Sequence, residues 1–217
     1  MPEINLLDLY PKSTRPIDER AQISYEDRII VKRLGKEYFD GTRVQGYGGY
    51  YYDGRWKPIA KRFKDFYGLT SHSRVLDIGC AKGFLLHDLL EAVPGIQICG
   101  LDISEYVLNT AIETAKPHLI LGNAKDLPFA DKSFDLIICI NSLHNILELD
   151  EVKAAISEIE RVSRSHKFIS VGAYQNKEEK ERLDRWAVVA KVYMHRREWV
   201  SLFQDVGYSG DYYWFNP

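Results

Sequence analysis

The spacing of apolar residues changes character near Ser73. Upstream, ISYEDRIIVKRLGKEYF sets Ile23, Ile29, Ile30 and Leu34 at helical intervals, with Ser24 as N-cap and Gly35 as C-cap. KPIAKRFKDFYGL repeats the scheme: Pro58 suits a first helical turn, Ile59, Phe63 and Phe66 share a face, and Gly68 ends it. Between the two helices lies RVQGYGGYYYDGRW, Arg43 to Trp56, with four glycines and four tyrosines. Residues 1–22, broken by Pro2, Pro11 and Pro16, predict an arm laid over the body.

From Ser73 onward short apolar runs alternate with amphipathic stretches. RVLDIG, IQICGLDI, HLILG, FDLIICI and KFISVGAY read as strands, and FLLHDLLEAV and DEVKAAISEIERVSR as covering helices. A parallel crossover needs such a helix, so the pattern predicts an α/β fold: a doubly wound, mostly parallel sheet of six or seven strands with helices on both faces. A charged segment, a helix ending near Gly207 and a short strand DYYWF follow. The expected division is a helical and aromatic lid over residues 1–55 and a ligand-binding domain over 56–217.

Composition narrows the classes. Lys+Arg of 29 against Asp+Glu of 31 advertises no footprint for nucleic acid or an anionic membrane. No apolar run approaches the roughly 20 residues of a membrane span, and the start has no signal-peptide pattern. Cys80, Cys99 and Cys139 lie far apart in apolar runs, which predicts buried free thiols in a reducing, cytoplasmic setting. His72, His87, His118 and His166 are scattered, so no metal is expected.

The strongest chemical signal is VLDIGCAKG. An apolar strand ends in Asp77, turns through Gly79, Ala81 and Gly83, and enters an apolar helix whose first N–H groups are unpaired. In GLDIS, Asp102 sits at the tip of the second strand, where a carboxylate accepts hydrogen bonds from a ribose diol. With GNAKDLPFAD and FDLIICINSLHNI following in order, the chain from about Trp56 to Phe215 resembles the class I S-adenosylmethionine-dependent methyltransferases, in the type 11/25-like small-molecule branch. It departs from that pattern with Ala81 for the middle glycine, Asn123 for an aspartate, and SRSHK for a glycine-containing turn before the fifth strand.

That resemblance implies S-adenosylmethionine as cofactor and a set of roles. Asp77, Gly79, Cys80, Ala81 and Gly83 would hold its methionine end, Asp102 the ribose, Ile103 one face of the adenine, Asn123 and Ala124 the adenine edge, and Asn141 the underside of the methionine part. His144 is the candidate general base, against the alternative that it only packs beside the cofactor. His195 is a weaker base candidate. Arg43, Tyr47, Tyr51, Tyr52 and Trp56 would close the acceptor pocket, against the alternative that the tyrosines merely pack the loop down.

The function expected is methyl transfer to an oxygen or nitrogen of a small polar acceptor, with a sugar or sugar-nucleotide preferred. The rivals are a non-catalytic cofactor-binding scaffold and a methyltransferase acting on a protein. Ending at DYYWF, without the long antiparallel seventh strand of many relatives, the sheet either has an open edge, which leaves a homodimer open, or is covered by an N-terminal segment.

Overall fold

The alternation after Ser73 becomes a seven-stranded sheet in which every pairing is parallel. The computed structural model describes residues 1–12 and 15–217, so residues 13 and 14 of the expected arm lie outside the described residues. Four helices come first: α1 (Ile17–Ala21), α2 (Tyr25–Val31), α3 (Lys36–Asp40) and α4 (Lys57–Tyr67). Then β1 (Arg74–Ile78), α5 (Phe84–Ala92), β2 (Gln97–Asp102), α6 (Glu105–Asn109), β3 (Leu119–Leu121), β4 (Phe134–Ile140), α7 (Leu149–Val162) and β5 (Ser163–Tyr174) alternate. The chain continues through α8 (Lys177–Trp186), β6 (Met194–His195), α9 (Arg196–Asp205) and β7 (Asp211–Phe215).

Strand order is β3-β2-β1-β4-β5-β6, with β7 also paired to β5. The order reverses between β1 and β4, and in such sheets the ligand crevice opens beyond the carboxyl ends at this reversal. Successive residues of β1 serve opposite faces: Leu76 and Ile78 join the core under α7 and α9, whereas Val75 joins the core under α4 and α5. Burial on both faces is why these strands read as continuous apolar runs.

Parts of the chain before α4 pack onto this domain. Leu6 is buried with Ile59, Phe63 and Phe168, and Phe39 and Tyr50 are buried with Ala81 and Phe84. The outer edge of β7 is covered: Glu3 bridges to Tyr212 in parallel, Ile4 N–H donates to Tyr212 O at 2.9 Å, and Tyr212 N–H donates to Pro2 O at 3.2 Å. Of the two expected edge arrangements, the structure has the covered one.

Two helix expectations need correction. Ser24 caps α2, accepting from Asp27 N–H at 3.0 Å, but α2 ends at Val31, before Gly35. Leu34 turns left-handed, with φ 52°, and Gly35 becomes the N-cap of α3 instead. On α4, Tyr67 rather than Phe66 joins Ile59 and Phe63 inside, while Phe66 is exposed.

Candidate active site

At the end of β1 the chain makes the tight turn that its small residues permit. Gly79 has φ 75°, and a Cβ there would lie 1.9 Å from Ser142 Oγ at the end of β4, so only glycine fits. Ala81 is also left-handed, with φ 48°, a backbone that costs alanine roughly 1 kcal/mol relative to glycine. Its N–H donates to Asp102 Oδ2 at 2.9 Å, and Ser104 N–H donates to Asp102 Oδ1 at 2.9 Å. Gly83 then serves as N-cap of α5. Cys80 is a buried thiol whose pKa is raised by burial, which makes it an inert wall rather than a nucleophile.

The electrostatics of the turn are unbalanced. Asp77, 5% exposed, accepts no hydrogen bond among the described residues. Burial, with the Asp102 carboxylate adding to it, pushes the Asp77 carboxyl up to about 7. Asp102 is raised by burial as well, with its backbone hydrogen bonds acting in the opposite sense. A buried, unpartnered carboxylate fits a ligand ammonium, and the unused lone pairs of Asp102 fit a diol. Beyond the tips of β2 and β3 a groove of about 410 Å³ runs between Ile103 and Ser104 on one side and Leu121 and Gly122 on another, with Leu34 and Tyr106 also lining it. Ile103 is 58% exposed and Leu121 52%, a bare apolar pair suited to a flat ring. Ammonium, diol and ring are three parts of S-adenosylmethionine, and these residues would hold them in that order.

Asn123 and Ala124 sit just past β3. Asn123 Oδ1 already accepts from Lys125 N–H at 3.1 Å, so its side chain shapes the turn and leaves the amide nitrogen as its donor. Asn141, at φ 55°, lies past β4, where its Oδ1 accepts from Ser170 Oγ at 3.1 Å.

His144 departs from its expected role. It is 7% exposed, and its Nδ1 accepts the Gly172 N–H at 2.8 Å, which fixes the neutral ring's proton on Nε2. Burial lowers its pKa to about 4. A ring whose basic nitrogen is occupied and whose other nitrogen carries hydrogen donates; it does not abstract a proton. His195 is a helix cap: its Nδ1 accepts from Arg197 N–H at 3.1 Å in a capping box with Glu198.

The glycine and tyrosine loop folds onto the start of α5. Tyr50 stacks on Phe84 at 4.8 Å, and Tyr47 stacks on Phe39 at 5.6 Å. Tyr52 donates to Asp88 at 2.6 Å, Trp56 packs on Tyr10 at 4.6 Å, and Tyr51 is 66% exposed. A polar latch pins the loop: Asp40 accepts from Lys82 Nζ at 2.6 Å, Tyr106 hydroxyl at 2.6 Å and Tyr50 N–H at 2.9 Å. Arg43, another of the expected pocket-closing residues, has its guanidinium 5.6 Å from the Trp186 ring centre while Nη1 donates to Tyr47 O at 2.9 Å.

A second, smaller cavity of about 50 Å³ lies at the carboxyl ends of β4 and β5, lined among others by His144, Gly172, Arg20, Tyr38, Trp186 and Phe215. It falls on the opposite side of β1 from the Ile103 groove, so with a cofactor in that groove this cavity would form the acceptor half of the crevice. The sequence reading missed Arg20, Tyr38 and Trp186, because no local pattern joins residue 20 to residue 186. One acidic group also escaped it: ligand atoms of His87, Asp88 and Glu91 lie within 4.8 Å of one another. Each has an internal partner in Thr114, Tyr52 and Lys57 respectively.

Residues 76–171 match the family described as a methyltransferase domain. A malonyl-[acyl-carrier protein] O-methyltransferase of Legionella pneumophila is 29% identical over 62% of this chain and 47% of its own length. A mitochondrial arginine-hydroxylase of Rattus norvegicus is 39% identical over 34% of this chain and 22% of its own length. The chain thus spans about half, or less, of the length of these two curated relatives. A SAM-dependent methyltransferase from Archaeoglobus fulgidus shares the fold with TM-score 0.55, at 19% identity over 70% of this chain and 68% of that one. The β1 turn, the two strand-tip carboxylates and the strand order agree with that methyltransferase-domain match and with the Rossmann-like fold of the class I methyltransferases.

Proposed function

We propose that the protein transfers a methyl group from S-adenosylmethionine to an oxygen or nitrogen of a small polar acceptor. The observation that carries this reading is the unpartnered Asp77 carboxylate beside Asp102, at the point where strand order reverses. When bound, the cofactor supplies an electrophilic methyl on a sulfonium, and the displacement leaves a neutral thioether. The chain's own contribution is position and dryness: Asp77 and Asp102 orient, Gly79 gives close approach, and the latched loop excludes water.

Because His144 donates rather than accepts, the site suits a nucleophile that needs no base from it: an oxyanion, or an amine already neutral. Tyr47, Tyr50 and Tyr52 are engaged in internal packing or hydrogen bonds, so the loop gives little support to a sugar in particular. Calorimetry with S-adenosylhomocysteine tests the cofactor half. Wild-type protein should bind one equivalent, and Asp102→Ala should weaken binding at least tenfold, the loss of about 1.4 kcal/mol or more. Unchanged affinity in that variant would sink the assignment. Tight binding without turnover on any of a panel of carboxylates, amines and sugar-nucleotides would favour the scaffold reading.

A further inference from the structure

On the acceptor half of the crevice, Arg20 and Arg15 have no counter-charge among the described residues. Arg20 is 5% exposed, its Nε is buried without a hydrogen-bond partner, and among the described residues it forms no ion pair. Its guanidinium lies 3.9 Å from the Trp186 ring centre. Arg15 lies over the same ring at 5.5 Å and over Phe215 at 4.6 Å, and its Nη1 is also buried without a partner. Arg43 also lies at Trp186. Burial lowers Arg20 to about 10, with Tyr38 acting in the opposite sense and the charges of Arg43 and Arg15 adding to burial, and Arg15 is lowered by burial and then by Arg43. A buried charge without a partner is costly, and stacking on an aromatic face recovers only part of that cost. Stacking also leaves the in-plane N–H edges of a guanidinium free, the edges that grip an oxyanion in a two-pronged hydrogen bond.

His144 points the same way. With Nδ1 occupied, its Nε2–H is a donor without an acceptor among the described residues, in the wall of the cavity that Arg20 lines. Tyr38 lines the same cavity, and the pKa of its hydroxyl is raised by burial, with Arg20 lowering it and Asp102 raising it further. About 50 Å³ accommodates a few waters or one small polar group.

We infer that the acceptor carries a compact oxyanion, a carboxylate or a phosphate, which docks between Arg20, Arg15 and the Nε2–H of His144 against Trp186. This deepens the methyl-transfer reading and rests on it for the identity of the anion's bearer as methyl acceptor. The anion itself is bound by charge and geometry that stand without the cofactor.

The test uses the full chain saturated with S-adenosylhomocysteine, titrated with sodium acetate and separately with inorganic phosphate at constant ionic strength, read by tryptophan fluorescence and calorimetry. One of the two anions should bind saturably at one site, and which one does assigns carboxylate or phosphate. Arg20→Met, which keeps an apolar stem over Trp186, should weaken that binding at least tenfold, and Arg20→Lys should recover only part of it. Arg20→Met should leave S-adenosylhomocysteine affinity unchanged and should melt at the same or a higher temperature, because it removes an uncompensated buried charge. Saturable binding indifferent to Arg20, or no saturable binding of either anion while S-adenosylhomocysteine binds, overturns the inference alone. Anion binding that depends on Arg20 in a protein that does not take S-adenosylhomocysteine would overturn the methyl-transfer reading and leave the anion site standing.

Discussion

Asp77 shows how a single side chain can trade stability for binding. In the folded protein its carboxyl is raised from 3.8 to about 7, chiefly by burial and then by Asp102. Its contribution to stability is therefore full below pH 3.8 and lost as pH rises through 7, since the unfolded chain ionises first. We predict that Asp77→Asn raises the melting temperature of the ligand-free protein more at pH 8 than at pH 5, and abolishes S-adenosylhomocysteine binding. A melting temperature that falls at pH 8 would contradict the burial argument. Such a residue is legible in sequence by its place after an apolar strand, and so is Asp102. The state of His144 was not legible, because its tautomer is set by Gly172, which belongs to a different strand. Arg20 carries no signal in the sequence, because Trp186 is brought to it only by the packing of α1 on α8, and Tyr38 comes from a third element, α3.

At the level of elements, what is local was readable and what depends on a partner was not. The Ser24 cap and the left-handed Gly68 after α4 follow from residue chemistry within a few positions. Which flank of α4 turns inward follows from β5, since Phe63 packs edge-on to Phe168, and the sequence of α4 does not contain that information. The aromatic loop is a similar case. Its glycines and tyrosines announced a special segment, whereas its latch joins Asp40 to Lys82 and Tyr106, distant in sequence. Lys82 is buried, and Asp40 is held below the usual carboxylate range by its hydrogen bonds to Lys82 and Tyr106, which prevail over partial burial. Asp40→Asn would leave the Lys82 ammonium without its counter-charge, at a cost of about 1–3 kcal/mol. Hydrogen exchange should then quicken across residues 36–52 while the sheet strands stay protected. Uniform protection in that segment would show that aromatic packing alone holds the loop.

For the molecule as a whole, the alternation of strands and helices predicted the sheet and its crevice, because parallel pairing leaves few ways to arrange such a pattern. The treatment of the outer edge was left between two outcomes, since short segments such as Pro2 to Ile4 carry no strand signature of their own. In the structure they pair with Tyr212 and place Leu6 beneath α4. Replacing Leu6 by Asp should detach that segment, lower the melting temperature, and expose the β7 edge to pairing with a second copy. Concentration-dependent sedimentation of the variant, absent in the wild type, is the expected result. An unchanged sedimentation profile despite lowered stability would mean that the exposed edge is too short to recruit a partner. Among the described residues no helix is long and apolar enough to cross a membrane.

The same pairing sets an order of events during synthesis. Residues 2–4 are synthesised long before the strand they cover, so until β7 emerges Leu6 and its neighbours wait without that partner. Contacts between segments so far apart in sequence are slow to form, because closing such a loop carries a large entropic cost before any contact rewards it. Docking of the first segment onto β7 would thus be a late step of folding, and a nascent chain stalled before Tyr212 would present Leu6 to whatever chaperone or neighbouring chain it met.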